Sequence, residues 1–331
     1  MNDLLSLIDR FSHLRIAVWG DFILDEYIYG TTRRISREAP VLILSYQRKE
    51  WSLGGAGNAA LNLAALGVEV VPIGVTGGDE SGRTIRAILR KHGVADASLF
   101  IEQGYATPLK TRILAGEENT KKQQILRIDR DGEVPDRAVL RKKISAALKK
   151  AAATCDALLI SDYHYRTVKE DVFAAVLPLF RNAGLPVTLD SRYRLTRFPG
   201  VSIATPNEPE VEEALKIRLG DDLKALTTAG RKLLRSLRSP ALLITRGFKG
   251  MALFERGKPP YLVPVHGSTD IVDVTGAGDT VISVFTAALA AGAPLREAVT
   301  LANAAGGLVV MKKGTATVGP PELKKAVSSD R

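Results

Sequence analysis

A run of small residues in front of a carboxylate, at residues 273–281, is the segment of this sequence best suited to chemistry. Gly276-Ala277-Gly278 precedes Asp279, and the apolar run after it is typical of a buried helix. Small residues let the backbone approach a ligand, and the first N–H groups of a helix can bind an anion. Asp279 would lie beside that anion, where it can accept a proton from an attacking hydroxyl while the amides of this segment stabilise a transferring phosphoryl group. On these residues alone, a plain helix-terminus carboxylate is an equal alternative.

A second glycine-rich segment, Gly54-Gly55-Ala56-Gly57-Asn58, precedes a helical pattern. Gly55, Gly57 and Ala60 match the spacing of a dinucleotide-binding turn. The residues before the segment are charged and do not read as a strand that feeds directly into a turn. A nicotinamide-dependent dehydrogenase is therefore kept only as an alternative, and Asn58 is expected to bind a sugar hydroxyl. The sequence contains no Walker A pattern, which excludes a P-loop kinase or ATPase.

The charge balance favours anionic ligands. The 331 residues include 46 Lys and Arg against 36 Asp and Glu, a formal net charge of +10. This suits nucleotides and phosphosugars. The basic residues are spread along the chain, without a basic arm or zinc-finger spacing, so no nucleic-acid partner is predicted. Cys155 is the single cysteine and the four histidines are scattered, which predicts neither an intrachain disulfide nor a zinc site.

The first ten residues carry acids within their apolar stretch, so they do not resemble a signal peptide. No uncharged apolar run is long enough to cross a bilayer. We therefore expect a cytoplasmic protein with no membrane partner.

Alternating strand-like and helical patterns must position these segments. The strand candidates are 15–20, 68–74, 157–161, 186–190, 202–205 and 241–245, and the helix candidates include 58–66 and 81–92. This alternation predicts an α/β fold with a mainly parallel sheet covered by helices on both faces. Ligands of such sheets bind beyond the carboxyl ends of the strands, where Asp21, Asp162, Asp190 and Arg246 stand.

Two stretches, 27–51 and 106–129, break this alternation. Both are rich in β-branched residues alternating with polar ones, which predicts strands and hairpins outside the main sheet, in a small β-lid. Their basic residues include Arg33, Arg34, Arg37, Lys110, Arg112 and Arg127. Because no internal repeat or linker stands out, residues 1–331 are predicted to form one domain that carries this lid.

Five segments together resemble the PfkB (ribokinase-like) family of carbohydrate kinases. They are Gly54-Gly55-Ala56-Gly57-Asn58, Asn207-Glu208-Pro209-Glu210, Thr245-Arg246-Gly247-Phe248-Lys249-Gly250, Asp273-Val274-Thr275-Gly276-Ala277-Gly278-Asp279 and Asn303-Ala304-Ala305-Gly306. They occur in the order of that family across nearly the whole chain. The resemblance implies a ribokinase-like three-layer αβα sandwich and an ATP-dependent sugar kinase, with Asp279 as general base and Gly276, Ala277 and Gly278 beside the phosphoryl group.

The resemblance also implies where each ligand binds. The sugar or phosphosugar ligands expected under the lid are Asp21, Asp25, Gly55, Asn58, Arg34, Lys110, Arg112 and Arg127. The residues expected at ATP are Asn207, Glu210, Thr245, Gly247, Gly250 and Asn303. Mg²⁺, bound mainly by the ATP phosphates, is expected near Asn207 and Glu210, and a monovalent cation such as K⁺ near Asp273. Lids of this kind pair between subunits, which implies a homodimer.

Further segments look like the branch of the family that phosphorylates C1 of D-glycero-β-D-manno-heptose 7-phosphate in lipopolysaccharide biosynthesis. They are residues 20–25, 34–41, 110–112 and 123–129. A substrate that already carries a phosphate would explain cationic residues in the lid, because Arg and Lys bind phosphate by charge-assisted hydrogen bonds. Each arginine taken singly is equally compatible with a solvated hairpin face.

Two departures from that branch leave other acceptors open. Arg37 stands within Ser36-Arg37-Glu38-Ala39-Pro40 where the branch has proline, and Asp190-Ser191-Arg192 replaces Asp-Pro-Lys. Arg and Lys are not equivalent as phosphate ligands. The alternative acceptors are ribose, fructose, a fructose phosphate and ketodeoxygluconate, and the alternative of another class is a catalytically silent sugar- or nucleotide-binding regulator. None of the histidines fits the His-x-Gly-His of an adenylyltransferase, so a stand-alone kinase is expected.

Overall fold

Two β-sheets and two layers of helices make up the part of the chain that the structure, a computed structural model, describes: residues 2–117, 122–267 and 272–329. The strands are β1 (Arg15–Gly20), β2 (Phe22–Ile35), β3 (Leu42–Gly55), β4 (Glu69–Gly77), β5 (Leu99–Glu102), β6 (Leu109–Gly116), β7 (Gln123–Arg130), β8 (Ala157–Asp162), β9 (Val187–Ser191), β10 (Ile203–Ala204), β11 (Ala241–Thr245), β12 (Met251–Glu255) and β13 (Tyr261–Val263). The α-helices are α1 (Asn2–Arg10), α2 (Ala56–Ala65), α3 (Glu80–Lys91), α4 (Ala138–Thr154), α5 (Glu170–Asn182), α6 (Glu208–Leu215), α7 (Leu223–Leu237), α8 (Ala277–Ala290), α9 (Leu295–Val309) and α10 (Pro320–Ser329).

The larger sheet has nine strands in the order β13-β12-β11-β10-β9-β8-β1-β4-β5. The pairs from β11 to β5 are parallel, whereas β12 and β13 are added antiparallel at one edge. The parallel strands end at one edge of the sheet, which brings the polar residues that follow β1, β8 and β9 to the same side. The predicted mainly parallel sheet is confirmed, with strand and helix ends displaced from the predicted ones by a few residues.

Strand β1 shows why the sheet is covered on both faces. Its side chains alternate, so that Ile16 and Val18 enter one hydrophobic core while Ala17 and Trp19 enter the other. The first core is closed by α1, α2, α3, α8, α9 and α10, and the second by α4, α5, α6 and α7. A strand that is buried on both faces reads as a continuous apolar run, as β1 does. The predicted three-layer αβα architecture is therefore confirmed.

The smaller sheet has four strands in the order β3-β2-β6-β7. It is built from the two stretches predicted to lie outside the main sheet, although its strands β2, β3 and β7 extend beyond them. At its base, Leu24 and Leu53 are buried, whereas Ile35 and Leu42 at its far end are exposed. The second sheet thus rises from the end of β1 and projects away from the main core, and the prediction of a small extra sheet is confirmed.

Among the described residues, no helix combines the length and the apolar character that a membrane span requires.

Candidate active site

Asp279 lies in the first turn of α8, and the residue is 4% exposed. Gly276 caps this helix at φ 77°, a left-handed conformation that favours glycine. A Cβ at Gly276 would lie 2.5 Å from Asn58 Nδ2, so only glycine allows the Asn58 amide to reach the helix start. The N–H of Ala277 donates to the carbonyl of Val274 at 3.2 Å. The structure thus gives one of the three expected amides an internal partner.

The Asp279 carboxylate is held by one hydrogen bond on each oxygen. Asn58 Nδ2 donates to Oδ2 at 2.8 Å, and the Tyr163 hydroxyl donates to Oδ1 at 3.3 Å. Burial raises the pKa of Asp279 to about 7, although these two hydrogen bonds favour the charged form and oppose the rise. The carboxylates of Asp25 and Glu210 raise the pKa further. A carboxylate with a pKa near neutrality is suited to take a proton at physiological pH.

Asn58 is directed at Asp279 and is itself fixed by a polar chain. Asn62 Nδ2 donates to Asn58 Oδ1 at 3.2 Å, and Thr280 Oγ1 donates to Asn62 Oδ1 at 2.9 Å. Asn58 is 1% exposed. The structure therefore places this predicted sugar ligand behind Asp279, with its amide oriented toward the carboxylate.

Asp21 is also buried, and its carboxylate binds the loop that follows β8. Oδ2 accepts the N–H groups of Tyr163 and Tyr165 at 2.9 and 3.0 Å, and Oδ1 accepts the N–H of Thr167 at 3.0 Å. Two residues between these donors, His164 and Arg166, have φ values of 70° and 69°. Backbone strain of this kind persists only where its surroundings fix it. Asp21 thus shapes the loop that carries Tyr163.

Gly55 lies between these groups. It has a φ of 57°, and a Cβ there would lie 2.6 Å from the carbonyl oxygen of Asp21 and 3.2 Å from the Tyr163 ring. Because no side chain occupies this space, the Tyr163 ring can pack against the backbone. The expectation that Gly55 belongs to the site agrees with this position.

Asp25, on β2, is paired with a lid arginine. Arg112 Nη1 lies 2.5 Å from Asp25 Oδ1, and the guanidinium lies 5.3 Å from the centre of the Tyr27 ring. A Cβ on Gly54 would lie 2.7 Å from Asp25 Oδ2. Asp25 and Arg112 are brought together beside Asp279, as the sequence predicted for two residues of one site.

A charged cleft of about 410 Å³ opens next to Tyr163. Three cations line it, Lys110, Arg127 and Arg192, together with three carboxylates, Asp129, Asp131 and Glu133. Asp129 lies opposite Lys110 in the β6–β7 ladder. Burial lowers the pKa of Lys110, and the neighbouring Arg192 lowers it further. The cleft therefore brings two predicted lid cations, Lys110 and Arg127, together with Arg192, which entered the sequence analysis only as a departure from a family pattern.

Arg34 is not brought to this cleft. It lies at the exposed far end of β2, opposite Ile43 of β3. Within one chain the structure separates it from the other predicted substrate ligands.

An apolar slot of about 160 Å³ lies on the other side of the α8 start. Its lining includes Thr245, Gly247, Phe248, Gly250, Val274, Ala277, Gly278, Val281, Asn303 and Gly306. Asn303 Nδ2 donates to the carbonyl of Pro264 at 2.8 Å, so its side chain is fixed in the wall. Four residues predicted to contact ATP are thus gathered in one slot that reaches Gly278.

Asn207 and Glu210 form a capping box at the start of α6. Asn207 Oδ1 accepts the N–H of Glu210 at 2.8 Å, and the N–H of Asn207 donates to Glu210 Oε2 at 2.9 Å. Burial raises the pKa of Glu210, and burial together with repulsion from Glu210 and Asp279 raises the pKa of Asp190. Over residues 2–117, 122–267 and 272–329, no group of three or more His, Cys, Asp or Glu is placed to hold a metal ion. The oxygen donors of Asn207 and Glu210 are of the kind that Mg²⁺ prefers, which fits an ion held mainly by the ATP phosphates.

Asp273 accepts the N–H groups of Thr275 at 2.9 Å and Gly314 at 3.0 Å. Although burial alone would raise its pKa, these hydrogen bonds lower it, so the carboxylate is charged. Asp273 also lines a cleft of about 920 Å³ between the smaller sheet and residues 313–315. The structure thus places a fixed negative charge close to the helix start.

Sequence reasoning missed Tyr163. The available signal was its position directly after Asp162, at the carboxyl end of a buried strand, where ligand-binding residues of α/β sheets gather. The dehydrogenase alternative is wrong, because β3 enters Gly55 from the smaller sheet, antiparallel to β2, and not as a strand of a parallel βαβ unit.

Comparison with known proteins identifies the class of protein to which this fold and these pockets belong. Residues 14–322 match the model of the pfkB family carbohydrate kinases. The chain therefore belongs to the pfkB family and is a carbohydrate kinase. It is 37% identical over 324 residues to the bifunctional protein HldE of Pelobacter propionicus, and 39% identical over 317 residues to that of Geobacter metallireducens. These matches cover 98% and 95% of the chain but only 65% and 63% of the relatives, so the chain spans less than two thirds of their length.

Solved structures agree on the fold. The Arabidopsis thaliana ribokinase complexed with ribose and ATP is 21% identical with a TM-score of 0.71, covering 95% of this chain and 98% of that one. The Escherichia coli phosphofructokinase-2 in complex with fructose-6-phosphate is 16% identical with a TM-score of 0.72, at the same coverage. The predicted ribokinase-like fold is confirmed.

Proposed function

We propose that this kinase transfers the γ-phosphoryl group of ATP to a phosphosugar, with C1 of D-glycero-β-D-manno-heptose 7-phosphate as the acceptor hydroxyl. The observation that carries the proposal is the position of Asp279 between two pockets. Ala277 and Gly278 line the apolar slot, while Tyr163, which is hydrogen-bonded to Asp279, lines the charged cleft. The neighbours of one buried carboxylate thus border both a slot lined by residues predicted to contact ATP and a cleft that contains three cationic side chains.

In the proposed reaction Asp279 accepts the proton of the attacking hydroxyl as the oxygen–phosphorus bond forms. The bond between the γ-phosphorus and the β–γ bridging oxygen of ATP breaks, and ADP leaves. Asn58 holds one carboxylate oxygen, and each oxygen keeps a lone pair free for the acceptor. The amides of Gly276 and Gly278 at the start of α8 stabilise the charge that develops on the transferring phosphoryl group, whereas that of Ala277 is bonded to Val274. Asn207 and Glu210 would lie near a Mg²⁺ ion bound to the ATP phosphates, which would neutralise part of the phosphate charge. Asp273 is the residue we propose for a monovalent cation.

We propose that the acceptor's own phosphate binds in the charged cleft. Lys110, Arg127 and Arg192 supply three cationic side chains there, beside the carboxylates of Asp129, Asp131 and Glu133, and Arg127 forms a 2.9 Å ion pair with Asp129. Charge-assisted hydrogen bonds from such side chains bind phosphate oxygens strongly. The segments that look like the heptose kinase branch, together with the HldE relatives, favour a heptose phosphate over other phosphosugars.

We further propose that the protein acts in the cytoplasm as a homodimer that pairs through the smaller sheet. One face of that sheet carries exposed apolar side chains, among them Leu126, Ile128 and Trp51. These residues share a face because the ladder sets Trp51 opposite Glu26, Glu26 opposite Thr111 and Thr111 opposite Ile128. Apolar surface of this kind marks an interaction site.

The test is ADP release with Mg-ATP and a panel of acceptors: heptose 7-phosphate, ribose, fructose, fructose 1- and 6-phosphates, and ketodeoxygluconate. The position of the new phosphate is then read by phosphorus NMR. Strong selectivity for heptose 7-phosphate, with phosphorylation at C1, is the expected result. Preference for another acceptor would contradict the proposed substrate but not the kinase activity. The absence of turnover on every acceptor, with ATP and sugar binding retained, would favour a silent regulator.

A further inference from the structure

The loop that follows β8 carries a side chain that nothing above assigns to the reaction. Tyr163 stands at the start of this loop, and its hydroxyl contacts Asp279 Oδ1 at 3.3 Å. Burial raises the pKa of Tyr163 well above its ordinary value, so the phenol keeps its proton and must be the donor. The phenol therefore donates its hydrogen bond to the charged form of the Asp279 carboxylate.

The backbone of this loop is built to hold Tyr163 in place. Three alternate N–H groups, from Tyr163, Tyr165 and Thr167, bind the single carboxylate of Asp21. His164 and Arg166 between them adopt positive φ values, a strained conformation that a free loop would abandon. The cost of this geometry indicates that the position of the Tyr163 ring is determined by the fold.

The two hydrogen bonds to Asp279 approach from different elements. Asn58 comes from α2 and binds Oδ2, whereas Tyr163 comes from the loop after β8 and binds Oδ1. Two donors on opposite oxygens fix the rotation of a carboxylate, which one donor cannot do. The two hydrogen bonds thereby fix the direction of the lone pair that remains on each oxygen.

We propose that Tyr163 is a positioning residue of the phosphoryl transfer, whose phenol fixes the Asp279 carboxylate in the orientation that takes the acceptor proton. This inference rests on the proposed role of Asp279 as the base. It predicts that loss of the phenol removes a hydrogen bond that favours the charged carboxylate, so that the pKa of Asp279 rises.

Other charged groups also face the Asp279 carboxylate, and the variants that test the proposal leave them unchanged. Asp25 on β2 and Glu210 on α6 raise the pKa of Asp279, and Asp279 interacts in turn with Asp190 at the end of β9. Arg192 lies close enough to Tyr163 and Asp190 to affect both. A substitution confined to the phenol leaves all of these groups in place.

The test compares Tyr163→Phe with Tyr165→Phe. Tyr165 is the matched control because its N–H binds the same Asp21 carboxylate, while its hydroxyl donates to Asp131 at 2.6 Å and not to Asp279. We would measure kcat/KM for the acceptor at saturating Mg-ATP between about pH 5 and pH 9, a range that brackets the working pH of a general base. Tyr163→Phe should move the acidic limb upward by about half a unit to one unit, the effect of one hydrogen bond. The limb of Tyr165→Phe should stay in place.

A difluorotyrosine at position 163 supplies the opposite change without removing the ring. Its more acidic phenol donates a stronger hydrogen bond, so the limb should move downward. Carbon NMR of labelled aspartate, assigned with Asp279→Asn, reads the same shifts directly and needs no acceptor. Unmoved Asp279 titration in both Tyr163 variants would overturn the inference. If Asp279→Asn keeps full turnover, the proposed role of Asp279 as base is contradicted instead. The two results distinguish a wrong base from a wrong role for Tyr163.

Discussion

At the scale of single residues, opposing influences set the chemistry of Asp279. Burial and two neighbouring carboxylates raise its pKa, while hydrogen bonds from Asn58 and Tyr163 lower it, and the balance is a value of about 7. A carboxylate left in water would have a pKa near 4 and would be a much weaker base. Gly276 contributes to the pKa of Asp279 because it leaves room for the Asn58 amide that donates to its carboxylate.

Gly276→Ala tests that point. Its Cβ would lie 2.5 Å from Asn58 Nδ2, so Asn58 must move and the hydrogen bond to Asp279 must weaken. We expect kcat to fall about tenfold or more, as loss of a hydrogen bond at a reacting group costs about 1.4 kcal/mol. The matched control is Gly292→Ala, since Gly292 has a φ of 84° and nothing within 4 Å of its would-be Cβ. Equal kcat values for the two variants in steady-state assays would contradict the role of Gly276.

At the scale of elements, the strand ends could be predicted and the contacts beyond them could not. Apolar runs bounded by polar residues placed Asp21, Asp162 and Asp190 at one edge of the sheet, because strand direction follows from a parallel sheet. The contact of Asn58 with Asp279 could not be predicted, because the crossing of α2 and α8 is set by tertiary packing, and its role as a sugar ligand stays a prediction. Arg34 lies far from Lys110 because a strand of 14 residues carries it to the tip of the lid.

Asp21→Asn probes the loop that follows β8. The amide that replaces one carboxylate oxygen cannot accept N–H groups, so at least one of the three backbone donors loses its partner. We expect the free energy of unfolding in urea to fall by about 1–3 kcal/mol, the cost of a buried unsatisfied group. Asp131→Asn is the control, because Asp131 accepts the exposed Tyr165 hydroxyl, and an amide oxygen can still accept that bond. Equal losses in the two variants would contradict the role of Asp21.

At the scale of the whole molecule, the proposed reaction centre lies where the two sheets meet. The slot proposed for the nucleotide belongs to the main sheet and its helices, while the charged cleft takes residues from β6 and β7 of the smaller sheet. The net charge of +10 suits the two anionic ligands that we propose for these pockets. The outer face of the smaller sheet, by contrast, carries the exposed apolar side chains of Leu126, Ile128 and Trp51.

The proposed dimer predicts the effect of charges on that face. Leu126 and Ile128 are 51% and 54% exposed, and their replacement by lysine in a double variant should convert dimers to monomers in sedimentation velocity. Ile101→Lys is the matched control, since Ile101 is 54% exposed but lies on β5 at the edge of the main sheet. A dimer that survives the double variant, or a parent protein that is monomeric, would contradict pairing through this face.

The most direct test of the central claim is the turnover and ATP affinity of Asp279→Asn. Asparagine keeps the size of the side chain and can still meet Asn58 and Tyr163, but it cannot accept the acceptor's proton. We predict that kcat falls roughly a hundredfold or more, the usual contribution of a general base, while calorimetry shows nearly unchanged Mg-ATP binding. Turnover equal to that of the parent enzyme would show that Asp279 is not the base.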